Sequence, residues 1–267
     1  PRHAIPRIIN MVASLKTTTN GKLCRHKKTI IVTGASRGLG LSVARRLIES
    51  GNEVIAISRQ NSEALASLIA AYPNLIRFIE FDLLNPEEIT PDWFHQIATH
   101  DKPIHGLVNN AAMAYDDLVT NMQLAKLDAQ FRVNVISPML LTKFAIRSML
   151  LHKTSGSIVH VSSISAHTGY KGLSMYASTK GALEAFSKNT AREWGPRQIR
   201  SNCVVPGFME TEMSSGLDAE TKKRIYKRTS LKQPTSLESV TETILFMLSD
   251  GSQSITGQNI VVDSGTI

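Results

Sequence analysis

No Asp or Glu precedes Glu49 in this 267-residue chain, whereas residues 1–28 hold seven Lys and Arg. The formal net charge of +8 therefore sits almost wholly in that leader, and the remainder is near neutral at +1. Aromatic residues are scarce at 6%, and none interleave with a basic stripe, which excludes a nucleic-acid surface on the body of the chain. Cysteine is limited to Cys24 and Cys203, with no CxxC pair and no His, Cys or carboxylate grouping at metal-ligand spacing. A disulfide framework and a zinc site are thereby excluded, and a reducing compartment such as the cytoplasm is expected. Long apolar runs are absent too: none approaches the ~18 residues of a membrane span. What is present, 42% hydrophobic and 19% charged residues, is the composition of an ordinary globular protein.

The basic leader, rich in Ser and Thr, has the composition of a mitochondrial-type presequence. It reads equally as an upstream translated stretch or an expression scar ahead of Met11. A tail without function is the expectation, and residues 1–28 are set apart from the fold.

From residue 29 to 267, short β-rich apolar runs alternate with helical patterns: TIIVTG, EVIAIS, LIRFIEFD, IHGLVNN, GSIVHVSS, IRSNCVVPG and QNIVVD are seven predicted strands. One long helix is predicted from about Ala125 to His152, another through YASTK to Trp194, and a last one over Leu237–Ser249. This alternation predicts an α/β, doubly wound, seven-stranded parallel sheet with helices on both faces, Rossmann-like and single-domain. A loop-plus-helix insertion is expected at Pro206–Pro234. Ligands of such sheets lie at the carboxyl ends of the strands.

The first strand ends in TGASRGLG and a helix opens behind it. Gly34, Gly38 and Gly40, with Ser36, Arg37 and Leu39, form a turn suited to bringing a pyrophosphate onto backbone N–H groups at a helix N-terminus. The second strand ends at Ser58-Arg59, where an acid would bind the 2′-OH of an NAD ribose. Arg59 and Arg37 instead supply two guanidinium groups suited to a 2′-phosphate, which favours NADP(H). Asp82, beside Leu83, reads as an acceptor for the adenine amino group or, equally, as a loop carboxylate. Asn109, Asn110, Ala111 and Ala112 close the fourth strand with amides that brace neighbours and small side chains beside the cofactor.

Tyr176 and Lys180 share a helix face at i, i+4, so the ammonium sits by the phenol. Chance also produces that spacing, with a half-buried Tyr and a snorkelling Lys. Ser163 stands at the end of the fifth strand, and Ser162 and Ser165 are left outside the site.

Together, TGASRGLG, NNAA, Asn134, Ser163, Tyr176, Lys180 and Pro206-Gly207 resemble the short-chain dehydrogenases/reductases over about residues 29–267. The resemblance implies a tetrad. Tyr176 is the general acid of ketone reduction, and Lys180 lowers its pKa and holds the nicotinamide ribose. Ser163 hydrogen-bonds the substrate oxygen, and Asn134 fixes a water leading to Lys180. PGFMETEM resembles the segment that closes over the nicotinamide, placing Pro206, Gly207 and Thr211 there. NNAA departs from the commoner NNAG, and Asp263-Ser264-Gly265 from DGG, a change expected to alter a terminal turn.

The similarity is greatest to 3-oxoacyl carrier-protein reductases, which implies NADPH-dependent reduction of a 3-oxoacyl thioester on a carrier protein. The alternatives are another ketone, a sugar or a polyol, or a cofactor-binding regulator or scaffold without turnover. Lys222, Lys223, Arg224, Lys227 and Arg228 read first as a solvated helix face and second as a landing site for an acidic carrier. Arg192 is a further candidate contact, and Lys153 is surface. The family resemblance also implies a homotetramer, joined through the helices of Asn134 and Tyr176 and through the last strand.

Overall fold

Runs of Ile and Val too short for helices, each followed by a segment with apolar residues at helical spacing, become strands and helices in turn. The computed structural model describes residues 27–98, 102–210 and 218–267. In chain order the strands are β1 (Thr29–Thr33), β2 (Glu53–Ser58), β3 (Ile76–Glu80), β4 (Gly106–Asn109), β5 (Gly156–Val161), β6 (Ile199–Pro206) and β7 (Asn259–Val262). The helices are α1 (Gly38–Glu49), α2 (Glu63–Ala71), α3 (Pro91–Ile97), α4 (Leu124–Phe131), α5 (Ser137–Leu151), α6 (Ser174–Trp194), α7 (Ala219–Arg228) and α8 (Leu237–Leu248).

All seven strands are parallel, in the order β3-β2-β1-β4-β5-β6-β7. Alternate side chains serve opposite faces. Ile30 and Val32 pack with Val43, Leu47, Val240 and Ile244 of α1 and α8, whereas Ile31 packs with Phe94, Leu141 and Phe144 of α3 and α5. Because both faces are covered, the strands read as continuous apolar runs. The chain winds outward from β1 to β3 and then returns to β4, so a crevice opens between the ends of β1 and β4.

Two devices shape that crevice. Gly34 has φ +66, and a Cβ on Gly40 would stand 2.2 Å from the Gly34 carbonyl oxygen, so α1 can approach the turn only without a side chain there. Thr33 Oγ1 donates to the Val108 carbonyl (3.3 Å) and accepts from the N–H groups of Asn110 and Ala111 (3.0 Å each). Asn110 Nδ2 returns to the carbonyls of Thr33 (2.9 Å) and Gly34 (3.3 Å), so the two strand ends are tied at the switch point.

The long helix expected over 125–152 is interrupted. Between α4 and α5, residues Arg132–Ile136 form a π turn, with the Ser137 N–H reaching the carbonyl of Arg132. One extra residue is accommodated there, as at many functional sites. At the far end of the chain, Asp263 accepts from the N–H groups of Gly265, Thr266 and Ile267, each at 2.8 Å. Ser264 adopts φ 58 in this turn, at a cost of roughly 1–2 kcal/mol for a residue with a Cβ. Its hydroxyl donates to the Pro234 carbonyl (3.2 Å), so the turn forms with Ser where Gly is easier.

Candidate active site

Ser163 leaves β5 in extended conformation and caps a short 3₁₀ turn, Ile164–Ala166. Its Oγ accepts from the Ser165 N–H (3.2 Å), which leaves the hydroxyl proton available to a substrate oxygen. Ser165, set aside in the sequence, thus orients Ser163.

Tyr176 lies in the first turn of α6, and Lys180 follows one turn on. Lys180 is only 2% exposed, its Nζ donates to the Val161 carbonyl at 2.8 Å, and it stands 5.4 Å from the centroid of the Tyr176 ring. Burial lowers its ammonium to about 8. The Tyr176 phenol moves the other way: burial first, then the Asp116 carboxylate, push its pKa up. Without the cofactor, desolvation of the phenol dominates at Tyr176. The Lys180 ammonium is itself hydrogen-bonded to a backbone carbonyl.

Asn134 sits in the π turn and is fully buried. Its Oδ1 accepts from the Met113 N–H (2.9 Å), and its Nδ2 donates to the Met113 carbonyl (2.9 Å) and to Thr179 Oγ1 (3.0 Å). The side-chain amide is therefore a clamp from the loop after β4 to the turn of α6 that carries Lys180. Both amide protons are spent on protein partners.

Along the same edge lies a cradle. The N-cap of α1 is Arg37, which makes no side-chain cap, and no acid occupies the first turn. No carboxylate of the first turn competes for those N–H groups, as an anion site requires. A Cβ on Gly38 would meet nothing within 4 Å, so the approach to the helix end is open. Leu39 is buried behind it, and the Ser36 carbonyl accepts from Ser62 Oγ at 2.5 Å, joining this turn to the one after β2.

Arg37 and Arg59 are both exposed, at the exits of the paired strands β1 and β2. Ser58 Oγ donates to the Gln60 carbonyl (3.0 Å), so that hydroxyl is engaged locally. Asp82 Oδ1 accepts from the Leu84 N–H (3.0 Å), the loop-carboxylate role, while the carbonyl of buried Leu83 accepts from Ser137 Oγ (2.6 Å). Ala111 follows the Thr33–Asn110 knot, and Pro206 closes β6, with the Gly207 N–H on the Val262 carbonyl (2.9 Å). Thr211 lies outside the described residues. An uncapped helix end and two guanidinium groups suit a dinucleotide bearing an extra phosphate.

Other side chains separate from this edge. Arg192 is exposed in the last turn of α6, about 18 Å along the helix from Lys180 at 1.5 Å per residue. Cys203 is buried with its thiol raised to about 12, first by burial, so it offers no thiolate. Sequence reasoning passed over Thr33 and Thr179. Thr179 is fully buried, donating to the Tyr176 carbonyl (2.7 Å) and accepting from Asn134. Its position inside YASTK was the available signal. No group of three or more His, Cys, Asp or Glu that could hold a metal occurs among the described residues.

Comparison with known proteins bears on this geometry. The family model described as enoyl-(acyl carrier protein) reductase matches residues 34–266. The 3-oxoacyl-(acyl-carrier-protein) reductase FabG of Aquifex aeolicus is 34% identical over 241 residues, 89% of this chain and 96% of that protein. Carbonyl reductase (NADPH) 2 of Sus scrofa is 35% identical over 242 residues, 88% and 94% of the two chains. Among solved structures, a gluconate 5-dehydrogenase from Burkholderia cenocepacia in complex with NADP and tartrate superposes with a TM-score of 0.81. It is 26% identical, over 90% of this chain and 94% of that one. With a strand-end Ser163, the Tyr176/Lys180 pair and a doubly wound parallel sheet inside that match, the chain belongs to the short-chain dehydrogenase/reductase family of oxidoreductases.

Proposed function

We propose that this protein reduces a ketone with NADPH, and that its substrate is a 3-oxoacyl thioester carried on an acidic protein. The observation that carries the reaction is the buried Lys180 ammonium, held by the Val161 carbonyl beside the Tyr176 ring at one end of a strand that also delivers Ser163. Bound NADPH would supply the hydride. The N–H groups opening α1 hold its pyrophosphate, Arg37 and Arg59 its 2′-phosphate, and Asp82 and Leu83 border the adenine. Asn110, Ala111, Pro206 and Gly207 line the way to the nicotinamide end.

The Ser163 hydroxyl donates to the substrate carbonyl oxygen, stabilising charge as it develops. Tyr176 then hands over its proton. A phenol whose pKa is raised by burial keeps its proton at neutral pH, yet an alkoxide is a stronger base and still takes it. Lys180 offsets the negative charge left on the ring.

Support for the acidic carrier comes from α7. The Tyr226 ring packs on Phe208 (6.1 Å between centroids), and Tyr226 Oη donates to Glu210. The opposite side exposes Lys223, Arg224, Lys227 and Arg228. The Arg228 guanidinium stands 5.8 Å over the ring of Tyr170, which packs against Ile164 of the Ser163 turn. A positive face thus borders the site rather than a remote surface. Free ketones and sugars are the second reading, favoured by the equal likeness to the Sus scrofa carbonyl reductase.

The assembly is proposed to be a homotetramer. Leu118, Val119, Met122 and Leu124 expose apolar side chains at the entry to α4, Leu124 to 80%, and so do Phe246 on α8, Val261 on β7 at the end of the sheet order, and Ile267 beyond it. Sedimentation equilibrium should return four times the 29.3 kDa chain mass; a monomer at micromolar concentration removes the assembly.

The decisive assay follows NADPH oxidation with acetoacetyl thioesters on CoA and on a carrier protein, an aliphatic diketone, L-xylulose and a keto-gluconate. The carrier-linked ester should have the highest kcat/KM and lose it with rising salt. Lys223→Glu/Arg224→Glu should lower that value about tenfold while sparing the diketone. Preference for a free sugar or ketone removes the carrier, and absence of turnover throughout removes carbonyl reduction. Arg59→Ala should raise the Kd of NADPH about tenfold or more and leave NADH nearly unchanged, whereas equal loss rules out the phosphate contact. In the reductive direction, kcat/KM for NADPH should be flat on the acid side and fall as pH rises through about 8, because Lys180 is charged below that value and neutral above it. A profile flat to pH 10 would contradict that assignment.

A further inference from the structure

Tyr176, Lys180 and Glu184 follow one another at i, i+4 and i+8 on α6, and all three turn toward the end of β5. Lys180 reaches the Val161 carbonyl, and Glu184 reaches the next residue. Glu184 is 8% exposed, and three donors from three parts of the chain converge on it. Oε1 accepts from Ser162 Oγ at 2.5 Å and from His167 Nε2 at 2.9 Å, and Oε2 accepts from Asn259 Nδ2 of β7 at 2.6 Å. A carboxylate this buried is tolerated only because its oxygens are bonded in this way.

The pattern of donors has a purpose beyond satisfying the charge. Ser162 immediately precedes Ser163, and His167 immediately follows the 3₁₀ turn that Ser163 caps; the His167 N–H also bonds the Ile164 carbonyl at 2.9 Å. One oxygen therefore grips the Ser163 turn at both ends. Because the grip comes from α6, it sets Ser163 against the helix that carries Tyr176 and Lys180. The bond to Asn259 anchors the same carboxylate to the outermost strand. Nothing in this set touches the cradle at the exits of β1 and β2.

We propose that Glu184, through Ser162 and His167, is the positioning residue that fixes Ser163 relative to Tyr176 and Lys180. This rests on the carbonyl-reductase reading of the site. A carboxylate is needed because three donors point at it: a Gln in its place presents one acceptor oxygen and aims an NH₂ at another donor. Displacement of a reacting group by about 1 Å costs on the order of 10²-fold in rate.

The test compares variants of the full chain on the best ketone of the panel above. Glu184→Ala should lower kcat about 10²-fold, with the Kd of NADPH, read by fluorescence titration, changed by less than about twofold. His167→Leu should lose activity, and His167→Gln, which keeps a donor at similar reach, should recover most of it. Val240→Ala, a core change on α8 remote from the site, serves as the control for stability alone and should leave kcat intact well below its Tm. In a double-mutant cycle, Glu184→Ala should add little to the loss already caused by Ser163→Ala, because the one acts through the other.

Unchanged kcat in Glu184→Ala, equal activity of His167→Leu and His167→Gln, or additive losses in the cycle would each overturn the assignment. If Glu184→Ala does not fold, the His167 pair decides alone. Full activity in Ser163→Ala would instead remove the reading of the site itself, so the two failures are told apart.

Discussion

A charged ammonium in the interior is the constraint around which this protein is arranged. Among the described residues, Lys180 is the largest of the side chains buried almost without exposure, and burying a lone charge is expensive unless partners surround it. Here a backbone carbonyl and the face of an aromatic ring do so. Neighbouring groups adjust to that charge. The imidazole of His160 is held neutral, with a pKa of about 3, by its burial and then by Lys180. Its Nδ1 is left to pair with Asn109 Nδ2 at 3.1 Å, inside the polar seam that also bonds Thr142. Much of the polar chemistry beneath the site is the environment of one cation.

Geometry at the site is set by side chains that bond backbone as well as by side chains that bond each other, as Glu184 does with Ser162 and His167. Thr33 and Asn110 fasten the ends of β1 and β4, Asn134 fastens the loop after β4 to α6, and Lys180 fastens α6 to β5. The first of these joins two strands that are neighbours in the sheet, and the other two join helix α6 to the segments beside it. The crevice is therefore rigid where the cofactor is proposed to rest, and its exposed groups, Arg37, Arg59 and the face of α7, lie at the rim. Such a division suits a reaction needing fixed atoms at the centre and tolerant contacts outside.

The strands, their parallel order of winding, the strand-end location of Ser163 and the shared helix face of Tyr176 and Lys180 were legible because period-2 and period-3.6 patterns record burial directly, and because turns announce themselves with glycine. Other features left no periodic mark. Thr33 and Thr179 look like ordinary strand and helix residues, and only partners 45 to 78 positions away show their use. The π turn is invisible in a run that is helical on both sides. Asn134 could be recognised as important, yet its bonds to Met113 were not, since Met113 lies in irregular chain. The rise in the Tyr176 pKa depends on how much water the fold excludes, a three-dimensional quantity that the spacing of Tyr and Lys does not carry.

The π turn between α4 and α5 has a further bearing on how the molecule meets its surroundings. An α-helix turns by about 100° per residue, so one inserted residue rotates everything beyond it by that amount. On the near side of the turn Leu124 points outward, 80% exposed; on the far side Leu141, Phe144 and Met149 lie against the sheet. Residues on the two sides of the turn therefore take different settings around one rod, with the buried Asn134 at the point where the phase changes.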